Sequence, residues 1–253
     1  METKLSERQT SIEKVKKLTK EHSNEFIGLN LNTINERILK ACERSGRSIK
    51  DIQLVGVSKT IEPDLVNESI RLGITMIGES KPQEIKRKYD LIEGDVAWHM
   101  IGSLQTNKVK MIIDKVDLIH TLDRERLADE LERRAGEAGK VIHALIQINI
   151  GDEGQKSGVA VEEVESLIRH ISTCEHIQID GLMAIAPYFE SPEAVRPFFK
   201  KMKSIFEDVK KFEYNNVNMS ILSMGMTHDF EVAIEEGATM VRVGTGIYGK
   251  RNY

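Results

Sequence analysis

Leu54-Val55-Gly56-Val57-Ser58-Lys59-Thr60 is a short apolar run that ends abruptly in a lysine. Asp51 precedes it, and the helix-start pattern Glu62-Pro63-Asp64 follows. The stretch therefore reads as a buried parallel strand, Leu54–Ser58, handing over to a helix. Lys59 then stands where the carboxyl end of that strand opens outward. On spacing alone a lysine there marks the return to solvent. Residues far downstream give it a second reading.

Outward from this stretch the pattern repeats. Strands are predicted at Leu54–Ser58, Met76–Glu79, Ala97–Gly102, Leu118–Leu122, His143–Ile150, Ile179–Ala186, Ser220–Met224 and Met240–Gly244, eight in all. Amphipathic stretches of helical period lie between them, such as Arg124–Gly136 with Leu127, Leu131 and Ala135 inward, or Glu162–Cys174 with Val164, Leu167, Ile168 and Ile171 inward. Such alternation implies a parallel sheet, because each crossover needs a helix to cover a face. Eight units in 253 residues point to one closed (β/α)₈ barrel of the TIM type. The alternative is an open doubly wound sheet, but Gly56 stands alone where its glycine fingerprint belongs. Ahead of the first strand, Ile27, Leu29, Leu31, Ile34, Ile38 and Leu39 recur at largely helical spacing, giving the barrel an extra N-terminal helix over Phe26–Cys42. Residues 1–25 read as a loosely held extension rich in Lys, Glu, Ser and Thr, leaving 26–253 as the barrel domain.

Composition narrows the functional classes. A net charge of -4 and a pI near 6.0 argue against a nucleic-acid binder that neutralises phosphates over a broad face. Cys42 and Cys174 are the only cysteines, without CxxC spacing or histidines set as metal ligands, so two structural thiols in a reducing cytoplasm are expected and no metal. No apolar run approaches the roughly 20 residues that span a bilayer, and the amino terminus lacks a signal-peptide core. Membrane association is not expected.

In such a barrel, chemistry gathers at the carboxyl ends of the strands, and the loops after strands seven and eight often bind phosphate. Ser223-Met224-Gly225-Met226-Thr227-His228-Asp229 runs straight into the predicted helix Phe230–Gly237, aiming Ser223, Met224 and neighbouring amides at one point. Gly244-Thr245-Gly246 adds further amides and a hydroxyl. Either loop alone is as readily a tight turn; falling together, they suit a phosphate dianion. A lysine opposite phosphate suggests an aldehyde cofactor with a phosphate tail, and pyridoxal 5'-phosphate (PLP) meets both demands. Arg242, alternating with Val241 and Val243, is either a rim ion pair or, if inward, a neighbour of the pyridine nitrogen that discourages its protonation.

Several motifs extend this reading: Leu54 to Thr60, Trp98-His99-Met100-Ile101-Gly102-Ser103-Leu104-Gln105-Thr106-Asn107-Lys108, Gln155-Lys156-Ser157-Gly158, Gly181-Leu182-Met183, Leu222-Ser223-Met224-Gly225-Met226 and Val241-Arg242-Val243-Gly244-Thr245-Gly246-Ile247-Tyr248-Gly249. Together, in this order from about Thr33 to Tyr253, they closely resemble the pyridoxal phosphate homeostasis protein family, which is similar to the amino-terminal barrel of alanine racemase. The resemblance implies an internal aldimine (Schiff base) of PLP on Lys59, a phosphate held by Ser223, Gly244 and Thr245, and Arg242 at the pyridine nitrogen. Some positions depart from the family pattern. Gly78-Glu79-Ser80-Lys81 stands where Gly-Glu-Asn-Tyr is common, Ser103 replaces histidine or proline, and Thr227-His228 stands where Ser followed by Ala or Asp is usual.

For the other conspicuous residues, structural roles are expected: packing for Trp98, hydrogen-bonded strand positions for His120 and His143, a solvated helical face for Lys108, Lys110 and Lys115, and core filling for Met183, Met224 and Met226. Two functions remain. One is a PLP homeostasis protein, a monomer or weak dimer, that holds the cofactor and releases it to PLP-requiring apo-enzymes. The other is an amino-acid racemase or related lyase using the same imine. With Arg242 weakening the electron sink, no second β domain expected after Tyr253, and His99 as the nearest second proton-transfer group, the sequence favours the carrier, with no catalytic residue.

Overall fold

A computed structural model of the chain describes residues 25–151 and 157–249. The first 24 residues of the predicted extension, and Gln155 and Lys156 of the quoted motif, lie outside these. Eight parallel strands close into a barrel in chain order: β1 Gln53–Val57, β2 Met76–Glu79, β3 Ala97–Met100, β4 Leu118–Leu122, β5 Ile142–Ile148, β6 Ile177–Ala184, β7 Val217–Met226 and β8 Met240–Val243. Closure is made by β1 against β8, with Val55 opposite Arg242.

Helices cover the barrel. The first, α1, is helical over residues 25–45. It is followed by α2 Pro63–Arg71, α3 Pro82–Lys88, α4 Glu125–Glu137, α5 Val164–Ile171, α6 Arg196–Val209, α7 Phe230–Glu235 and α8 Thr245–Tyr248. Pro63 and Pro82 open α2 and α3, where a missing N–H costs no helical bond. Ile27, Leu31, Ile34, Ile38 and Ala41 form the buried stripe of α1. Leu29 and Leu39, included in the predicted stripe, face outward instead, 62% and 43% exposed, because they fall off the 3.6-residue period. Asn30 fixes α1 to the end of the chain's last helix by donating to Ile247 O at 2.8 Å, and Arg37 pairs with Glu231 of α7 at 2.7 Å.

Strand parity divides the core in two. Val55, Leu118, Leu145, Met183 and Met240 fill the lumen. Their strand neighbours, such as Ile119, Ala144, Leu182, Val241 and Val243, pack in the layer between the barrel wall and the helices. The connection after β3 is a 3₁₀ turn, Thr106–Met111, where an α-helix was expected. Lys108 and Lys110 lie on this turn, and Lys115 sits over the Tyr89 ring at 5.2 Å.

Candidate functional site

At the carboxyl ends of the strands the chain leaves a cleft of about 370 Å³, a volume suited to a small cofactor. Lys59, Ser80, Ile101, Ile185, Arg242 and Thr245 border it. Parity explains the selection. Val55 lies in the lumen, so Val57 and Lys59, two and four residues on, share its inward face. Arg242 likewise follows Met240 inward while Val241 and Val243 pack outward, as the alternation on that strand predicts.

Lys59 is carried by a turn. Ile61 N–H donates to Ser58 O at 3.0 Å, closing four residues with Lys59 and Thr60 in the middle. Thr60 has a φ of 63°, the one non-glycine residue with positive φ among those described. Turns with positive φ at the third position ordinarily use glycine or asparagine, so a β-branched residue here is strained. Its hydroxyl donates to Lys59 O at 2.6 Å.

The loop after β7 differs from its predicted form. The strand runs on to Met226, beyond the expected Met224, and its register against β8 goes from Ser223 opposite Met240 to Met226 opposite Arg242. Three steps on β7 thus meet two on β8, a bulge that shifts the parity by one residue. Gly225 takes the bend at φ 91°, where an added Cβ would meet that of Ala233 at 2.5 Å. Ser223 is consequently sealed in the lumen, fully buried, and does not border the cleft. The Met224 side chain packs in the outer layer, leaving only its main chain to serve a ligand. Met226, expected in the core, is 38% exposed and lines the cleft beside Thr227 and His228.

Thr227 is the loop hydroxyl that the sequence reading passed over. Its Oγ1 accepts from Gly244 N at 3.3 Å and Gly246 N at 3.4 Å, long contacts that aim two amides at the same rim as the Thr245 hydroxyl. A stronger acceptor such as a phosphate oxygen could take over both amides, with Thr227 and Thr245 donating their hydroxyl protons. The departure from the family's serine at position 227 was the available signal, since threonine keeps the hydroxyl.

Beneath the cleft a polar chain crosses the lumen. Arg242 donates through Nη1 to Ser223 Oγ at 2.6 Å and through Nη2 to Ala184 O at 2.9 Å. Ser223 Oγ lies 3.2 Å from His120 Nδ1, and His120 Nε2 lies 3.1 Å from His99 Nδ1. Arginine only donates, so Ser223 Oγ accepts from Arg242, while the directions of the Ser223–His120 and His120–His99 bonds follow the imidazole tautomers. The chain runs in either direction with neutral imidazoles, each ring offering one donor and one acceptor. Burial keeps both rings neutral: it holds His99 down to about 4 and His120 well below its ordinary range, with His99 and Arg242 adding to the effect on His120. Burial also lowers Arg242 to about 10, opposed by Asp229. His120 is thus the hydrogen-bonded strand residue expected, while His99 belongs to this chain and not to the cleft wall. His143 pairs at the surface with Asp180 at 2.6 Å. Trp98 is packed in the outer layer.

The family model for the alanine racemase N-terminal domain matches residues 30–252. The pyridoxal phosphate homeostasis protein of Aquifex aeolicus is 46% identical over 224 residues, covering 88% of this chain and 97% of that one. The chain belongs to this family. Its Escherichia coli relative of the same name is 38% identical over 233 residues, with 90% and 97% covered. Among solved structures, PipY of Synechococcus elongatus with PLP bound superposes at a TM-score of 0.74, with 29% identity and coverage of 88% and 100%. Alanine racemase from Corynebacterium glutamicum, at 15% identity and a TM-score of 0.67, shares the fold. The described residues hold no group of three or more His, Cys, Asp or Glu able to bind a metal ion, and no helix long and apolar enough to cross a membrane.

Proposed function

We propose that the chain binds PLP in this cleft and takes part in PLP homeostasis, holding the cofactor and releasing it to PLP-requiring apo-enzymes in the cytoplasm. The observation that carries the reading is that Lys59 opens on the same cleft as the amides gathered at Thr227, Gly244 and Gly246. That donor set fits the cofactor: a primary amine for the aldehyde, amides and two hydroxyls for a dianion, and a guanidinium for the pyridine nitrogen. Bound PLP supplies an aldehyde carbon that a lysine amine can attack, the C=N bond forming with loss of one water. Lys59 is the amine, Gly244, Thr245 and Thr227 hold the phosphate, and Arg242 faces the ring nitrogen without donating it a full proton. Ser223 acts from below, by holding Arg242. The names of the relatives and the PLP-bound PipY structure support the reading. A racemase needs a second positioned proton-transfer group. His99, the nearest candidate, is committed to the lumen chain.

The test is a titration with PLP and with pyridoxal, followed by borohydride reduction and peptide mapping. At about 1.5–3 kcal/mol for each charge-assisted bond, three such bonds favour the phosphate form by several orders of magnitude. The pyridoxyl group is expected on Lys59. Comparable affinity for the two ligands, or a label carried by another lysine, refutes the reading.

A further inference from the structure

We propose that Lys88 is a positioning residue for Lys59, its buried ammonium clamping the Ser58 carbonyl and so fixing the turn that presents the Lys59 amine. The inference rests on the PLP reading of the cleft. Lys88 ends α3 and is fully buried, among the largest fully buried side chains of those described. Its Nζ donates to Ser58 O at 2.8 Å and Glu79 Oε1 at 2.8 Å, and lies 3.3 Å from Glu84 Oε2.

A buried ion pair is weak evidence for stability, because apolar residues of similar size often serve as well. This pair does something that apolar residues cannot: it reaches a main-chain atom. Ser58 O is the acceptor that also closes the Lys59–Thr60 turn. Ser58 Oγ donates to Glu79 Oε1 at 2.8 Å and Ser58 N–H donates to Gly78 O at 3.0 Å, so nitrogen, hydroxyl and carbonyl of one residue are all held. The next residue is Lys59, on the opposite face of the wall. The positive φ of Thr60 shows why a clamp is useful, since a strained turn persists only where its surroundings over-determine it. Lys88 and Glu79 provide that determination from the helix layer, without entering the cleft.

The experiment compares Lys88→Met with the wild-type protein using two ligands, PLP and 4'-deoxypyridoxine 5'-phosphate, which has the same ring and phosphate but no aldehyde. Loss of the clamp is expected to weaken PLP and lower borohydride labelling of Lys59 by roughly tenfold or more, while affinity for the deoxy ligand stays within about twofold. Lys88→Met leaves Glu79 buried without its cation, so the double variant Lys88→Met with Glu79→Gln is measured beside it, with folding checked by circular dichroism. Equal losses for both ligands, or undiminished labelling of Lys59 in a folded variant, overturns the inference. A wild-type protein not labelled at Lys59 removes the underlying reading, and this inference falls with it.

Discussion

Acidification should destabilise this protein through the two histidines of the lumen. Burial holds His99 at about 4 instead of 6.5, and His120 is also held well below its ordinary value. Both are neutral in the fold and become charged in the unfolded chain as pH falls below 6.5. The unfolded state then binds more protons, so the stabilisation is whole above the unfolded pKa and is lost as pH falls toward the folded one. Between pH 7 and pH 5 the shift of His99 alone removes about 2 kcal/mol. His120, lowered chiefly by burial, acts in the same direction, and even about 2 kcal/mol is a large share of the stability of an ordinary domain. Glu79 and Asp229, whose carboxyls burial raises, act in the opposite sense and offset part of the loss. Comparing variants cancels that offset. His99→Gln keeps a polar group beside His120 and deletes one titration. Urea unfolding followed by circular dichroism at the two pH values should show the variant losing about 2 kcal/mol less than wild type. An identical loss in both proteins refutes the account of the lumen as a place where imidazole stays neutral.

Two further perturbations address the cleft. Thr60→Asn relieves the positive φ at an exposed position and is expected to stabilise the fold by about 1 kcal/mol, raising Tm by roughly 2–4 °C in calorimetry while slowing borohydride-trapped labelling of Lys59 by PLP. A Tm at or below wild type would show that the turn is not strained. In Gly102→Ala the new Cβ would meet Ser80 O at 2.3 Å and Ser80 Cα at 2.8 Å. Because these are backbone atoms on the cleft rim, a loss of about 1–3 kcal/mol in urea unfolding should accompany weaker PLP binding.

The barrel was legible because its signals are local: apolar runs of strand length, helical periods between them, and alternation that turns Lys59 and Arg242 inward. Residue-level errors arose where tertiary structure overrides the period. Ser223 looked like a loop residue because a regular strand would end near it, yet the bulge at Gly225 carries β7 to Met226 and hands the rim to Thr227. The local mark of that extra residue is Gly225 itself, which reads equally well as the start of a turn. The pair of Lys88 and Glu79 was invisible for another reason. A lysine in the last turn of a helix is ordinary, and its burial against β2 appears only once α3 is laid on the wall. Leu29 and Leu39 show the converse error, apolar residues counted into a stripe that geometry turns to solvent.

The odd–even order of β1 makes length itself a functional property. Ser58 and Lys59 are adjacent, one gripped from the helix layer and the other open to the cleft, so the two sides of the wall are written on consecutive residues. Many substitutions between Val55 and Lys59 would keep that arrangement, but one inserted or deleted residue would exchange its faces, driving the amine toward Lys88 and presenting the cleft with a hydroxyl. The number of residues separating the barrel's closing seam at Val55 from the amine is therefore as much a part of the site as the amine.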